Sequence, residues 1–193
     1  MNEQIKNEIR NSFDFYSNKY DEVKYPPGHY QALKKNFTIN NKNVDFKLAM
    51  EWKYGHISKK NYPQSHKAII ARSNLKWMEF ISIENELDPK ETFHWWHKEL
   101  GKSAYITAAW ITHLIHHKLG VPIIDQHNFR AMHLLTNIGN KPIPFFKRKP
   151  SNWVDIQQLI EFIEQIKIIM PTKSLQEIDR FLMMYGKFNK QKK

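Results

Sequence analysis

Leu100-Gly101-Lys102-Ser103-Ala104-Tyr105-Ile106-Thr107-Ala108-Ala109-Trp110 reads as the end of one helix, a tight turn and the start of another. Glycine is the usual helix stop, and the residues that follow it here are small. Upstream, Pro89 with Glu91 behind Asp88 marks a helix start, and Phe93, Trp96 and Leu100 recur on one face. Downstream, Ala104, Ala108, Ile111 and Ile115 form a stripe that Gly120 closes. The spacing therefore predicts two helices joined by a bend. Backbone N–H groups at such a bend, with a lysine beside them, can hold a phosphodiester without reading its base.

The same period recurs along the chain. Val44, Leu48 and Trp52 share a face before Gly55, and an apolar and basic stretch runs from Ala68 to Ile81. Phe129, Met132 and Leu135 continue the period after Asp125. Ser151 is expected to cap a long helix whose apolar face carries Ile156, Leu159, Ile160, Ile163 and Ile166, ended by Pro171. Ser174 is expected to open a last helix with Leu175, Ile178, Leu182 and Tyr185. Alternating strand patterns are scarce, so the expected fold is all-α with about eight to ten helices. Tyr25-Pro26-Pro27-Gly28 reads as a turn or linker, and Gly139 to Pro150 as a proline-rich loop carrying Lys147-Arg148-Lys149 beside Phe145-Phe146.

Composition narrows the partners. The chain of 193 residues has Lys+Arg 30 against Asp+Glu 19, a net charge of +11. A field of that sign attracts polyanions, although a lysine-coated surface also serves solubility alone. The absence of cysteine excludes disulfides, thiolate zinc sites and cysteine-ligated iron–sulfur clusters. The opening Met1-Asn2-Glu3-Gln4-Ile5-Lys6 has no apolar signal core, and no apolar run reaches membrane-spanning length. A cytoplasmic location and no membrane association are the expectation.

Gly120-Val121-Pro122-Ile123-Ile124-Asp125-Gln126-His127-Asn128-Phe129-Arg130 carries the densest chemistry. An aspartate opening a helix is an ordinary N-cap, worth about 1 kcal/mol. Here Asp-x-His-x-x-Arg adds two potential donors at a helix end where orphan N–H groups and the positive dipole already gather. A capping carboxylate is immobilised, so capping and chemistry are compatible at Asp125.

Helix, hairpin, a second helix starting Thr107-Ala108, then a loop into Asp125-x-His127-x-x-Arg130: this order resembles the helix-hairpin-helix DNA glycosylase superfamily, which includes endonuclease III and 8-oxoguanine glycosylase. The resemblance covers Leu100 to Met132. It implies two helical lobes flanking a cleft, residues 40–124 forming one and residues 1–39 with 125–193 the other. It implies a DNA N-glycosylase that hydrolyses the bond to a flipped base, with Asp125 as catalytic carboxylate. Gly101, Lys102, Ser103, Tyr105, His127 and Arg130, together with Lys147, Arg148 and Lys149, would contact nucleic acid. The partner would be double-stranded DNA, the protein a monomer, with no cofactor and no metal.

Three departures shape that expectation. The family's hairpin carries Gly-x-Gly, whereas those positions hold Lys102 and Ala104 here, with Gly101 one residue early. Bifunctional members have a lysine nucleophile where this chain has Ile106, so the expected chemistry is monofunctional. The missing cysteines exclude the iron–sulfur cluster of some members. The alternative is a non-catalytic DNA-binding protein on the same scaffold. Trp77, Phe93, Trp95, Trp96, Tyr105 and Trp110 are candidate walls for a flipped base, though large aromatics more commonly pack the core. A competing reading takes His113 with His116 or His117 as a metal pair, with a third ligand from His94, His97, His127 or His133.

Overall fold

Most of the described helices begin at a side-chain cap. Asp88 accepts from the Glu91 N–H at 2.8 Å while Glu91 accepts from the Asp88 N–H at 3.0 Å, a reciprocal capping box. Ser174 and Glu177 repeat the arrangement. In the computed structural model the residues described are 1–57, 59, 61, 63–83, 87–139 and 150–189, with Lys102 described by its backbone alone. Among them the regular structure is entirely helical: α1 (Glu3–Ser17), α2 (Pro27–Asn36), α3 (Phe46–Tyr54), α4 (Gln64–Ile81), α5 (Pro89–Leu100), α6 (Tyr105–His116), α7 (Gln126–Thr136), α8 (Trp153–Ile169) and α9 (Leu175–Phe188). No described helix is long and apolar enough to cross a membrane.

Two local expectations need correction. Of Tyr25-Pro26-Pro27-Gly28, expected as a turn or linker, only Tyr25 and Pro26 lie outside a helix: Pro27 is the first residue of α2, where its missing N–H costs nothing because no intrahelical acceptor exists there. The cap of α8 is Asn152, not Ser151. Asn152 accepts from the Asp155 N–H at 3.1 Å, and the buried Asp155 carboxylate accepts from Ser151 N at 2.6 Å and Asn152 N at 3.2 Å.

The chain divides into two compact units, Asp21–Val121 and Met1–Tyr20 with Pro122–Lys193. Helix α2, grouped by the sequence reading with residues 125–193, lies in the first and packs on α3 and α6.

The unit of residues 21–121 is built on aromatic rings. Tyr30, Trp52, Trp110 and His113 form a stack with Trp52 and Trp110 5.1 Å apart and 9° from parallel. Phe37, Phe46, Trp77, Phe80 and Trp96 form a second cluster, mostly at tilted or edge geometry. Such pairs add about 0.5–1.5 kcal/mol each beyond area burial. The indole N–H groups of Trp52, Trp77 and Trp110 donate to the carbonyls of Pro26, Asn41 and Ala49, so these three rings sink without stranding a donor.

In the other unit α1 buries Ile5, Ile9 and Phe13, one residue per turn. Phe13 stacks on Phe181 at 4.8 Å, and Tyr185 donates its hydroxyl to Glu8 at 3.0 Å. Burial and the Glu8 charge together push the Tyr185 phenol well above its ordinary pKa. Helices α7 and α9 cross closely enough that Gly186 has no room for a side chain against the α7 backbone.

Candidate active site

The predicted bend exists and needs a single glycine. Gly101 ends α5 at φ 90° and ψ 161°, a region open essentially to glycine alone. Residues Lys102–Ala104 then make one 3-10 turn, with Ala104 N donating to Gly101 O at 2.9 Å, and α6 follows. Ala104 sits at φ −96°, where no glycine is needed, so this turn dispenses with the second glycine of the Gly-x-Gly pattern. Ser103 is exposed on the turn.

Asp125 caps α7 from extended backbone, φ −147° and ψ 177°. Its Oδ1 accepts from the N–H groups of His127 at 2.7 Å and Asn128 at 2.9 Å. Its Oδ2 has no hydrogen-bond partner among the described residues. The side chain is half-buried. One oxygen thus fixes the group and the other is left over, at a helix end that favours negative charge.

Asn128, which the sequence reading passed over, locks the approach to this cap. Its buried side-chain amide donates to Ile123 O at 2.9 Å, tying the segment before Asp125 to the first turn of α7. The Asn128 Oδ1 finds no partner among the described residues, which leaves a buried acceptor one turn from the carboxylate. An Asn at the third helical position, after an aspartate cap, was the available signal. Val121 and Ile124 sink into the protein on either side of Pro122 and Ile123 and fix the rest of the segment.

Arg130 is half-buried and donates to Gly186 O at 2.9 Å and to His127 Nδ1 at 3.2 Å. A guanidinium only donates, so His127 Nδ1 is the acceptor and its ring proton sits on Nε2. Burial lowers the Arg130 pKa and the Asp125 charge opposes the shift. Arg130 therefore lies within the field of the carboxylate, with part of its donor capacity spent on the last turn of α9.

The other expected contacts divide. The Tyr105 ring is buried against Phe93 at 5.3 Å and serves the core rather than a surface. Of the candidate base-stacking walls, Trp77, Phe93, Trp96, Tyr105 and Trp110 are all core residues, and Trp95 alone is half-buried. The Lys102 side chain and all of Lys147, Arg148 and Lys149 lie outside the described residues.

Of the histidine run at the end of α6, His113 and His116 are buried and His117, in the turn that follows, is half-buried. His113 is fully buried, with Nδ1 2.7 Å from Val121 O and Nε2 2.8 Å from the Tyr30 hydroxyl. A carbonyl only accepts, so Nδ1 carries the proton and Nε2 accepts from Tyr30. His116 is buried with Nε2 2.8 Å from Thr92 Oγ1, and His117 Nδ1 lies 3.0 Å from Leu114 O. Among the described residues, no three of His, Asp and Glu gather as metal ligands would. With both nitrogens of His113 already bonded, the competing reading of a metal pair of His113 with His116 or His117 loses its central ligand.

No protein family, no curated protein and no solved structure was found to match this chain.

Proposed function

We propose that the protein is a monofunctional, glycosylase-like enzyme acting on double-stranded DNA, with Asp125 as its catalytic carboxylate. The observation that carries this reading is the Asp125 cap: one oxygen pinned by two N–H groups, the other without a partner among the described residues, on the helix that follows a glycine-based helix–turn–helix. In the proposed reaction the bond between the sugar C1′ and the base nitrogen breaks, and the base leaves with the electron pair. Positive charge develops on the sugar, where a fixed carboxylate stabilises it. A water oxygen then bonds to C1′, and its proton passes to the carboxylate or to solvent. Gly101, Ser103 and the backbone of Lys102 would meet phosphates, as would the Lys147–Lys149 run, while the Arg130 charge would attract the strand near the cap. A two-lobed, cleft-containing architecture, a monomeric state and a cytoplasmic location belong to the same proposal.

The second reading is a DNA-binding protein without catalysis. Ile106 in place of a nucleophilic lysine and the commitment of Arg130 to Gly186 favour it. Duplexes carrying oxidised, alkylated or deaminated bases separate the two. Under the first reading a free base is released, and Asp125→Asn lowers the rate by at least about 100-fold, the scale of losing one transition-state contact. Asparagine caps a helix as well as aspartate does, so the variant keeps its fold and its DNA affinity. Binding with no base released from any lesion leaves the second reading. Absence of salt-dependent duplex binding removes both.

A further inference from the structure

A cleft of about 530 Å³ opens in the unit of residues 21–121, where the C-terminal ends of α2 and α6 come together. Lys34, Lys35 and Lys118 line it with His117, and Ile39 and Ile115 supply apolar surface. None of its lining residues is acidic. Lys35 and Lys118 are exposed, and neither forms an ion pair among the described residues.

Basic residues in the last turn of a helix ordinarily complement its dipole. Each C-terminus contributes about half a negative charge, so two amount to about one. Lys35 and Lys118 by themselves exceed that by about one charge, which leaves the cleft positive. Its volume lies within the roughly 300–1,000 Å³ range of small-molecule sites. Ammonium groups serve phosphate as compact point charges, and the isoleucines offer a surface for a flat, weakly polar group.

We infer that this cleft binds a phosphate-bearing ligand of nucleotide size, its phosphate held by Lys34, Lys35 and Lys118 and its attached planar group set against Ile39 and Ile115. The site goes beyond the glycosylase reading. Helix α6 separates it from the Gly101 turn by about 18 Å at 1.5 Å per residue. The phosphate has two possible sources, a free nucleotide or the 5′-terminal nucleotide of a strand.

Titration calorimetry on the full chain distinguishes them, using adenosine 5′-monophosphate, adenosine, inorganic phosphate, and one short single strand with and without a 5′-phosphate. The nucleotide is expected to bind with Kd on the order of 0.1–1 mM. Adenosine and the combined Lys35→Ala and Lys118→Ala variant should each bind at least about 10-fold more weakly, as expected when charge-assisted contacts are lost. Both lysines are exposed, so the variant should keep the wild-type circular dichroism spectrum. Lys167→Ala, on α8 in the other unit, should bind as wild type does. Binding of the 5′-phosphorylated strand without the free nucleotide also supports the site and names the strand as source. Equal affinity for adenosine and its monophosphate overturns the proposal. So does an unaffected double variant, an equal loss in Lys167→Ala, or no binding of either phosphate carrier at about 5 mM.

Discussion

Gly186→Ala is expected to destabilise the protein by about 2–3 kcal/mol, although alanine is the better helix former. A Cβ at position 186 would overlap the His127 carbonyl oxygen and come within 3.0 Å of Ala131 N, both backbone atoms of α7. A flexible side chain yields to such an intrusion; a helix backbone does not, so α7 and α9 must separate. Helix propensity favours alanine by about 1 kcal/mol, and overpacking of this kind costs typically 1–3 kcal/mol, occasionally more. Overlap with two fixed backbone atoms belongs at or above the upper end, so overpacking wins. For a chain of this length the melting temperature should fall by roughly 5–10 °C. Gly28→Ala is the control, because nothing lies within 4 Å of its Cβ and α2 should tolerate or welcome it. A Gly186→Ala protein that melts with or above wild type would show that the α7 backbone leaves room for a side chain at position 186.

The second large effect is acid sensitivity centred on His113. Burial pushes its pKa down to about 3, and the charges of Lys53, His117 and Lys34 add to the depression; the Val121 carbonyl opposes it. Unfolded, the imidazole titrates near 6.5. Between these values the unfolded chain binds a proton that the folded one refuses, so stability falls as pH drops from about 6.5 towards 3. The contribution is complete above the unfolded pKa and is worth about 1.4 kcal/mol per pH unit inside the window, up to about 4–5 kcal/mol. His56 and His66, 3.1 Å apart and both lowered chiefly by burial, act in the same direction. A comparison of slopes isolates His113. Urea unfolding of His113→Gln should show lower stability at pH 7 and a flatter decline between pH 6.5 and 4.5, by about 1 kcal/mol per pH unit. An unchanged slope would mean that His113 is not the group held neutral.

Much of the fold was legible in the chain because helix signals are local. Asp88 with Glu91, Ser174 with Glu177 and Gly55 as a left-handed stop act within one turn, so their meaning survives without tertiary information. Ser151 misled because its neighbour Asn152 also caps, and the buried Asp155 decides between them. Pro27 misled because proline breaks a helix interior and begins a helix equally well.

The candidate site was legible at one residue and opaque around it. Asp125 was recognisable as a cap and is one. That Arg130 reaches Gly186 O, 56 positions away, follows from the crossing of α7 and α9 and from nothing adjacent in the chain. Tyr105 illustrates the same limit: the resemblance implied a nucleic-acid contact for it, and its packing on Phe93 made it core.

The order of residues alone determined the helical character, the bend at Gly101 and the capping role of Asp125, since each depends on backbone preferences and hydrogen bonds spanning a few residues. Tertiary packing decided which titratable groups keep their charge chemistry and which are silenced. His113 became a neutral core residue, and Lys34, Lys35 and Lys118 came to share one cleft, because burial and long-range proximity belong to the folded arrangement.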